Sequence, residues 1–369
     1  MKIGILTFHY AHNYGAMLQA YALTTFLQTK GFDAEIIDYR LHYIYRNHEK
    51  YNIIGYYKWL HEKDNAIISA LKVIKSYRKH RNKDVKWYNF EKFMNSSLHK
   101  SPRIYTEKEL DKYDYIICGS DQIWNEKLTN GYNNIYWGNG INSNIPLISY
   151  AASNGSAMFE GAYINKIKEY LKRFKAISIR EQSLCEWIKS NLGIPAITVI
   201  DPVFLLPPSK WKDIIPANNT KDSEYLLIYA FQEDLKIYEV AQNIAKQKGL
   251  KIIRVCYNKR NDIPSNIIQD NTCGPAEFIS YIKNSSFICT TSFHGVAFSI
   301  LFNKQFYAIS PSKYSERVIS ILDKFKLSNR LIKDINDIKL NEEIDFSSIN
   351  YIINKEIENS WKFLKTNLQ

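Results

Sequence analysis

Four short stretches carry side chains that a plain connector does not need. In Cys118-Gly119-Ser120-Asp121-Gln122-Ile123-Trp124-Asn125, an apolar run leads straight into small residues, a carboxylate and a tryptophan. A carboxylate at a strand end can take a proton from a substrate hydroxyl; the plainer use of Asp121 is to cap a helix. Ser178-Ile179-Arg180-Glu181 places a guanidinium where a buried strand ends and a helix opens. Fixed there, Arg180 can hold a carboxylate or phosphate through two parallel hydrogen bonds, or be tied in an ion pair with Glu181 or another carboxylate. Thr290-Thr291-Ser292-Phe293-His294-Gly295 joins hydroxyls, a histidine and a helix expected to begin near Gly295. His294 would then sit with several N–H donors at the positive end of a helix dipole; otherwise it is a satisfied core histidine. His9-Tyr10-Ala11-His12-Asn13-Tyr14-Gly15-Ala16 offers a turn glycine and N–H groups at a helix start, a place for an anion. It is not GxGxxG, and no GxxxxGK[ST] occurs, so neither a dinucleotide cofactor nor a P-loop is expected. His9 and His12 have no acidic neighbour in sequence, so no metal site is expected.

The elements that must position these loops alternate along the chain. Strand-like runs at Lys2–Thr7, Ala34–Asp38, Tyr115–Cys118, Ile145–Tyr150, Ala176–Ile179 and Ile197–Ile200 are rich in β-branched residues. Helical patterns at Ala16–Lys30, Tyr163–Lys175 and Glu181–Asn191 lie between them. Such alternation reads as parallel sheet covered on both faces. The pattern stops at 207–222, a linker by its Pro207-Pro208, Pro216 and Asn218-Asn219, and restarts at Tyr225–Phe231. It continues with helix Leu235–Lys248, strand Lys251–Cys256, helix Ala276–Asn284, strand Phe287–Thr290, helix Gly295–Phe302 and strand Gln305–Ile309. The expected architecture is α/β, with two Rossmann-like doubly wound domains at 1–206 and 223–348. A helix at 349–369 packs back on the first domain. In doubly wound sheets ligands bind beyond the C-terminal ends of the strands, where all four stretches lie.

Composition narrows the partners. The chain of 369 residues is 45% hydrophobic and 23% charged, ordinary for a soluble protein with real cores. Residues 40–100 interrupt the first domain, and their 14 Lys and Arg against 5 Asp and Glu carry +9 of the net +12. With nine Tyr and Trp, among them Tyr43, Trp59, Tyr77 and Trp87, this segment reads as a helical insertion packed on the main domain, or as a surface for anionic lipid headgroups. No nucleic-acid motif accompanies the charge. The five cysteines show no paired spacing and are expected to be reduced and buried, with no zinc site. No apolar run reaches the ~18 residues of a membrane span. The N-terminus does not read as a signal peptide, so a cytoplasmic protein is expected, with peripheral contact at the inner face of the plasma membrane through the basic segment.

Together the loops resemble the polysaccharide pyruvyl transferase family. The resemblance rests on His12-Asn13-Tyr14-Gly15-Ala16 with Leu18-Gln19-Ala20, Gly119-Ser120-Asp121-Gln122 with Trp124, Tyr150-Ala151-Ala152-Ser153, Ile179-Arg180-Glu181, Asp201-Pro202-Val203 and Ser292-Phe293-His294-Gly295, in order along most of the chain. It implies a fold similar to GT-B glycosyltransferases, with two domains facing a cleft. It implies transfer of the pyruvyl group of phosphoenolpyruvate to sugar hydroxyls, usually as a cyclic ketal, with phosphate released. On that reading His294 is the general acid, Asp121 the base and Arg180 the donor's anchor. Asn13, Tyr14, Gly15, Ser120, Gln122, Trp124, Ser153, Thr291, Ser292, Phe293 and Gly295 surround the substrates. The scheme requires no cofactor or metal, and the acceptor sugar belongs to a cell-surface polysaccharide precursor, in bacteria often carried on polyprenyl diphosphate. One departure stands out. Many relatives carry an arginine two residues before the histidine, where this chain has Ser292, so Arg180, Arg254, Lys313 or Arg317 must supply the missing cation. Two rivals remain, a nucleotide-sugar glycosyltransferase of the same architecture and a non-catalytic glycan-binding protein. For the former, Glu277 is the nearest candidate ribose contact.

Overall fold

The fold was obtained as a computed structural model and describes residues 1–40, 66–129, 131, 134–155, 159, 163–216, 224–230, 235–309 and 316–369. The first sheet joins β1 (Lys2–Leu6), β2 (Asp33–Tyr39), β3 (Lys100–Ile104), β4 (Tyr115–Cys118), β5 (Leu147–Ala152), β6 (Phe174–Ile179) and β7 (Ile197–Thr198). All seven are parallel, in the order β3-β2-β1-β4-β5-β6-β7. The isoleucine pairs that fill its centre (Ile36-Ile37 and Ile116-Ile117) are wholly buried, because helices cover both faces of a parallel sheet. The second sheet, also parallel, runs β10 (Ile267–Asp270), β9 (Lys251–Val255), β8 (Tyr225–Tyr229), β11 (Phe287–Thr290), β12 (Phe306–Ile309) and β13 (Leu331–Ile332).

The helices are α1 (Tyr14–Thr29), α2 (Ala66–Ser96), α3 (Tyr163–Lys172), α4 (Gln182–Trp187), α5 (Lys236–Lys248), α6 (Pro275–Asn284), α7 (Phe293–Leu301), α8 (Glu316–Lys324) and α9 (Phe346–Asn367). Each sheet reverses its strand order once, between β1 and β4 and between β8 and β11. Loops after those strands diverge and leave a crevice.

Two helices tie the halves together. In α9, the Ser360 hydroxyl accepts from the Ile200 N–H at 3.0 Å and Trp361 packs edge-on against Phe26, so this helix lies on the first domain. Beyond its end, the Tyr115 hydroxyl donates to the Gln369 carbonyl at 2.6 Å. The C-terminal half of α2 lies against both domains. Phe90, Phe93 and Met94 are buried, Lys86 donates to the Cys256 carbonyl at 3.0 Å, and Asn89 to the Thr272 carbonyl at 2.9 Å. This part of the basic segment is therefore an interdomain wedge, whereas composition alone allowed a lipid-facing surface. The Lys86 ammonium sits 3.7 Å from the Tyr257 ring centroid, and burial pulls its pKa down to about 8. Residues 41–65, with Tyr43, Tyr45, Tyr51, Tyr56, Tyr57 and Trp59, lie outside the described residues, as do 217–223 of the linker and Lys313. The earlier part of that linker is not loose chain. Pro208–Trp211 forms a helical turn whose Trp211 is fully buried against Tyr21 and Phe298. All five cysteines are buried and free, and among the described residues no helix is long and apolar enough to cross a membrane.

Candidate active site

The loop after β4 does not cap a helix. Asp121 has φ +70° and forms an isolated bridge with Ala152, with no helix between 121 and 129. Ala151 is also left-handed, at φ +49°. Such conformations cost on the order of 1–3 kcal/mol each and persist where the surroundings dictate them. Here the Ser153 N–H donates to the Asp121 carbonyl at 3.0 Å, the Ser120 hydroxyl to the Ala151 carbonyl at 3.1 Å, and the Thr7 hydroxyl to the Ser120 carbonyl at 2.9 Å. The outcome is a rigid turn that aims the Asp121 carboxylate at the end of β6.

Arg180 stands at that end, wholly buried, and is surrounded by carboxylates. Its Nη1 donates to Asp201 at 3.0 Å and its Nε to Glu181 at 2.9 Å, while Asp121 lies 3.7 Å from Nη1. Burial works against the guanidinium's charge, but Glu181, Asp201 and Asp121 outweigh it and raise its pKa. Asp201, in turn, is raised above the usual carboxylate range by burial, against the pull of Arg180. Ser153 donates to the same Glu181 oxygen at 2.9 Å. Removing Arg180 would leave buried carboxylates without their cation. Arg180→Ala is expected to lose about 3–5 kcal/mol of stability, read as a lower urea midpoint at unchanged slope; a midpoint equal to wild type would show that the network contributes nothing.

The second domain contributes α7, which begins two residues earlier than expected, with Ser292 as its N-cap and His294 inside the first turn. The Ser292 N–H donates to Thr290 Oγ1 at 3.1 Å, and Gly295 packs so closely on Thr290 that a Cβ would lie 2.1 Å from that oxygen. His294 Nε2 comes 3.9 Å from Asp201 Oδ2, too far for a hydrogen bond, and has no partner among the described residues. Burial drives its pKa down to about 3; Asp121 opposes this, and Arg180 and Arg317 add to it. The ring is therefore neutral at pH 7. Its Nδ1 edge lies on Gly15 of the first domain, where a Cβ would fall 2.0 Å away. Phe293 faces the Arg180 guanidinium, 4.4 Å from ring centroid to Cζ.

Arg180, Glu181, Asp201, Phe293 and Arg317 thus line one small, partly open pocket of about 20 Å³. Asp121, His294 and Gly15 border these residues. The remaining sequence candidates have other tasks. Trp124 is buried, stacked on Trp137 at 4.7 Å and donating to the Tyr136 carbonyl at 2.9 Å, so it is core rather than cleft. Tyr14 stacks on Phe278 at 4.7 Å and donates to the Cys273 carbonyl at 2.9 Å, joining the domains. Asn13 caps α1 through the Ala16 N–H, and Gln122 accepts from Asn125 at 2.9 Å over Gly155. Thr291 is buried, its N–H donating to the Tyr229 carbonyl at 3.3 Å.

Sequence reading did not single out Asp201 or Glu181 as site residues. Asp201 caps the helical turn Pro202–Leu205, accepting from the Val203 N–H at 3.1 Å. Its Asp-Pro pairing was the available signal. The two N-terminal histidines do have acids in space, His9 with Asp38 at 3.0 Å and His12 with Glu91 at 3.1 Å, but as separate pairs. No cluster of three metal-ligating side chains occurs among the described residues. Glu277 bonds back to the Gly274 N–H at 3.1 Å as part of the start of α6. A larger open groove at the other end of β6 and β7, bordered by Lys168, Lys172, Lys175 and Lys189, is lined mainly by apolar side chains.

Residues 13–313 match the polysaccharide pyruvyl transferase family. The chain belongs to that family. Among solved structures, it is similar to the UDP-GlcNAc 2-epimerase of Neisseria meningitidis bound to UDP-GlcNAc, at 11% identity and TM-score 0.53 over 100% of this chain and 99% of that one. It also matches the UDP-GlcNAc 2-epimerase of Methanocaldococcus jannaschii at 12% identity and TM-score 0.47, over 96% and 92% of the two chains. At such identities the likeness concerns the fold, two Rossmann-like domains in the GT-B arrangement. No curated protein matches the chain. For this pyruvyl transferase family member, Asp121, Arg180, Asp201 and His294 all fall within the matched span, and Arg317 lies just beyond it.

Proposed function

We propose that the protein transfers the pyruvyl group of phosphoenolpyruvate to two hydroxyls of a sugar in a polysaccharide precursor, forming a cyclic ketal and releasing phosphate. The observation that carries this reading is the meeting of Asp121, Arg180 and His294, from three loops and both domains: Arg180 lies 3.7 Å from Asp121 and 3.0 Å from Asp201, and Asp201 lies 3.9 Å from His294. The donor is compact and carries about three negative charges. A guanidinium and the N-terminus of α7 suit it.

In the reaction, protonation of the donor's terminal enol carbon makes C2 electrophilic. One sugar hydroxyl adds there, giving its proton to Asp121. A second hydroxyl then displaces phosphate from C2, its proton leaving with the phosphate, which closes the ketal. His294 supplies the proton to carbon. Burial leaves it neutral at pH 7, so it must first gain that proton, and the donor's charge beside it supplies the driving force. Asp121→Asn keeps the shape of the turn and removes the base. It is expected to lower turnover by about 10²–10⁴ at unchanged donor affinity.

Calorimetric titration tests the reading. Phosphoenolpyruvate is expected to bind and stabilise the protein, and UDP- and GDP-sugars are not. Binding of a nucleotide sugar alone would replace this reading with a glycosyl transferase.

A further inference from the structure

Ser292, at the N-terminal boundary of α7, carries no charge. The site nevertheless holds a second guanidinium. Arg317, in the first turn of α8, lines the same space as Arg180, Glu181, Asp201 and Phe293. Of the other cations, Arg254 is engaged elsewhere, donating to Gln269 at 2.7 Å and to the Asn258 carbonyl at 3.2 Å.

The placement of Arg317 is unfavourable without a ligand. A cation in the first turn opposes the helix dipole. Arg180, another cation, depresses its pKa further after burial, an effect that Glu181 and Asp121 only partly offset. Its Nε is buried with no hydrogen-bond partner among the described residues, and so is Nη2 of Arg180. Two guanidiniums that repel each other thus line one small pocket, each with a buried N–H donor unmet among the described residues. An anion with two acceptor oxygens satisfies both at once.

Building on the pyruvyl-transfer reading, we propose that Arg317 and Arg180 together hold the carboxylate of the donor, leaving its phosphate to the N-terminus of α7 beside His294. The assignment narrows the donor to small molecules bearing a carboxylate as well as a phosphate. A phosphate ester without the carboxylate would leave the two N–H donors unmet, a cost that weakens its binding.

Calorimetry on the intact chain, with phosphoenolpyruvate and inorganic phosphate as probes, tests this. Arg317→Gln is expected to weaken phosphoenolpyruvate about 10–100-fold, the worth of a charged hydrogen bond. Inorganic phosphate should change less than about twofold, and Arg317→Lys should recover part of the loss. In steady state the donor KM should rise more than kcat falls. Unfolding temperatures equal to wild type confirm that the variants are folded; should Arg317→Gln fail this check, Arg317→Lys serves, with a smaller loss in the same direction. Unchanged affinity for phosphoenolpyruvate, or equal weakening of both probes, would overturn the carboxylate assignment. If wild-type protein binds no phosphoenolpyruvate, the pyruvyl-transfer reading itself falls.

Discussion

His294→Gln is expected to lower acceptor-dependent phosphate release by about 10²–10⁴, the usual loss when a general acid is removed, while the protein stays folded. Folding should survive because glutamine keeps much of the buried volume and Nε2 makes no hydrogen bond among the described residues that would be lost. The same substitution carries a signature in pH. His294 titrates near 3 in the folded protein and near 6.5 when unfolded, so between these values the unfolded chain binds the extra proton. Its contribution to stability is therefore present above about pH 6.5 and is lost as pH falls toward 3. The Gln variant should lose less stability over that range than wild type. On the pyruvyl-transfer reading donor binding raises this pKa, so at pH 7 wild type should take up protons with phosphoenolpyruvate and His294→Gln fewer. That uptake is read from binding enthalpies in buffers of different ionisation enthalpy. Equal uptake by the variant would assign the proton to another group.

Gly15→Ala is the second large effect, and it probes the meeting of the domains. A Cβ there falls 2.0 Å from His294 Nδ1 and 2.4 Å from Cε1, so the ring or the domain must shift by an ångström or more. Displacements of that size cost about 10²-fold in turnover. Gly15 is at ordinary helical φ in the first turn of α1, so the substitution introduces no backbone strain of its own. The expected variant is folded and slow, and a kcat within about threefold of wild type would show that His294 does not work from this position.

Much of this site is readable before any coordinates. The isoleucine-rich runs mark parallel strands, and the doubly wound rule then places Asp121, Arg180 and His294 at one end of their sheets. What the sequence leaves open has physical causes. Lys100–Ile104 contains Pro102 and does not read as a strand, yet it is tolerated as β3 because it pairs only at the sheet's edge. The role of α2 is hidden because a lysine and aromatics look alike on a solvated face and in a buried cluster; only the fold shows Lys86 enclosed by Tyr14, Phe90 and Tyr257. Asp121 matches a cap by residue type, whereas its left-handed backbone depends on contacts with β5 that no local pattern encodes. The pairing of Arg317 with Arg180 spans 137 positions and exists only once the second domain folds against the first.

The central claim is that this interdomain cluster moves pyruvate from phosphoenolpyruvate to a sugar. The most direct test is phosphate release from phosphoenolpyruvate by the purified protein with galactose-, glucose- and mannose-type acceptors, free and lipid-diphosphate-linked. Release that depends on one acceptor, yields a product heavier by the pyruvate ketal, and disappears in His294→Gln is the predicted result. Release that is equal in wild type and His294→Gln, or sugar transfer from a nucleotide donor in its place, would contradict it.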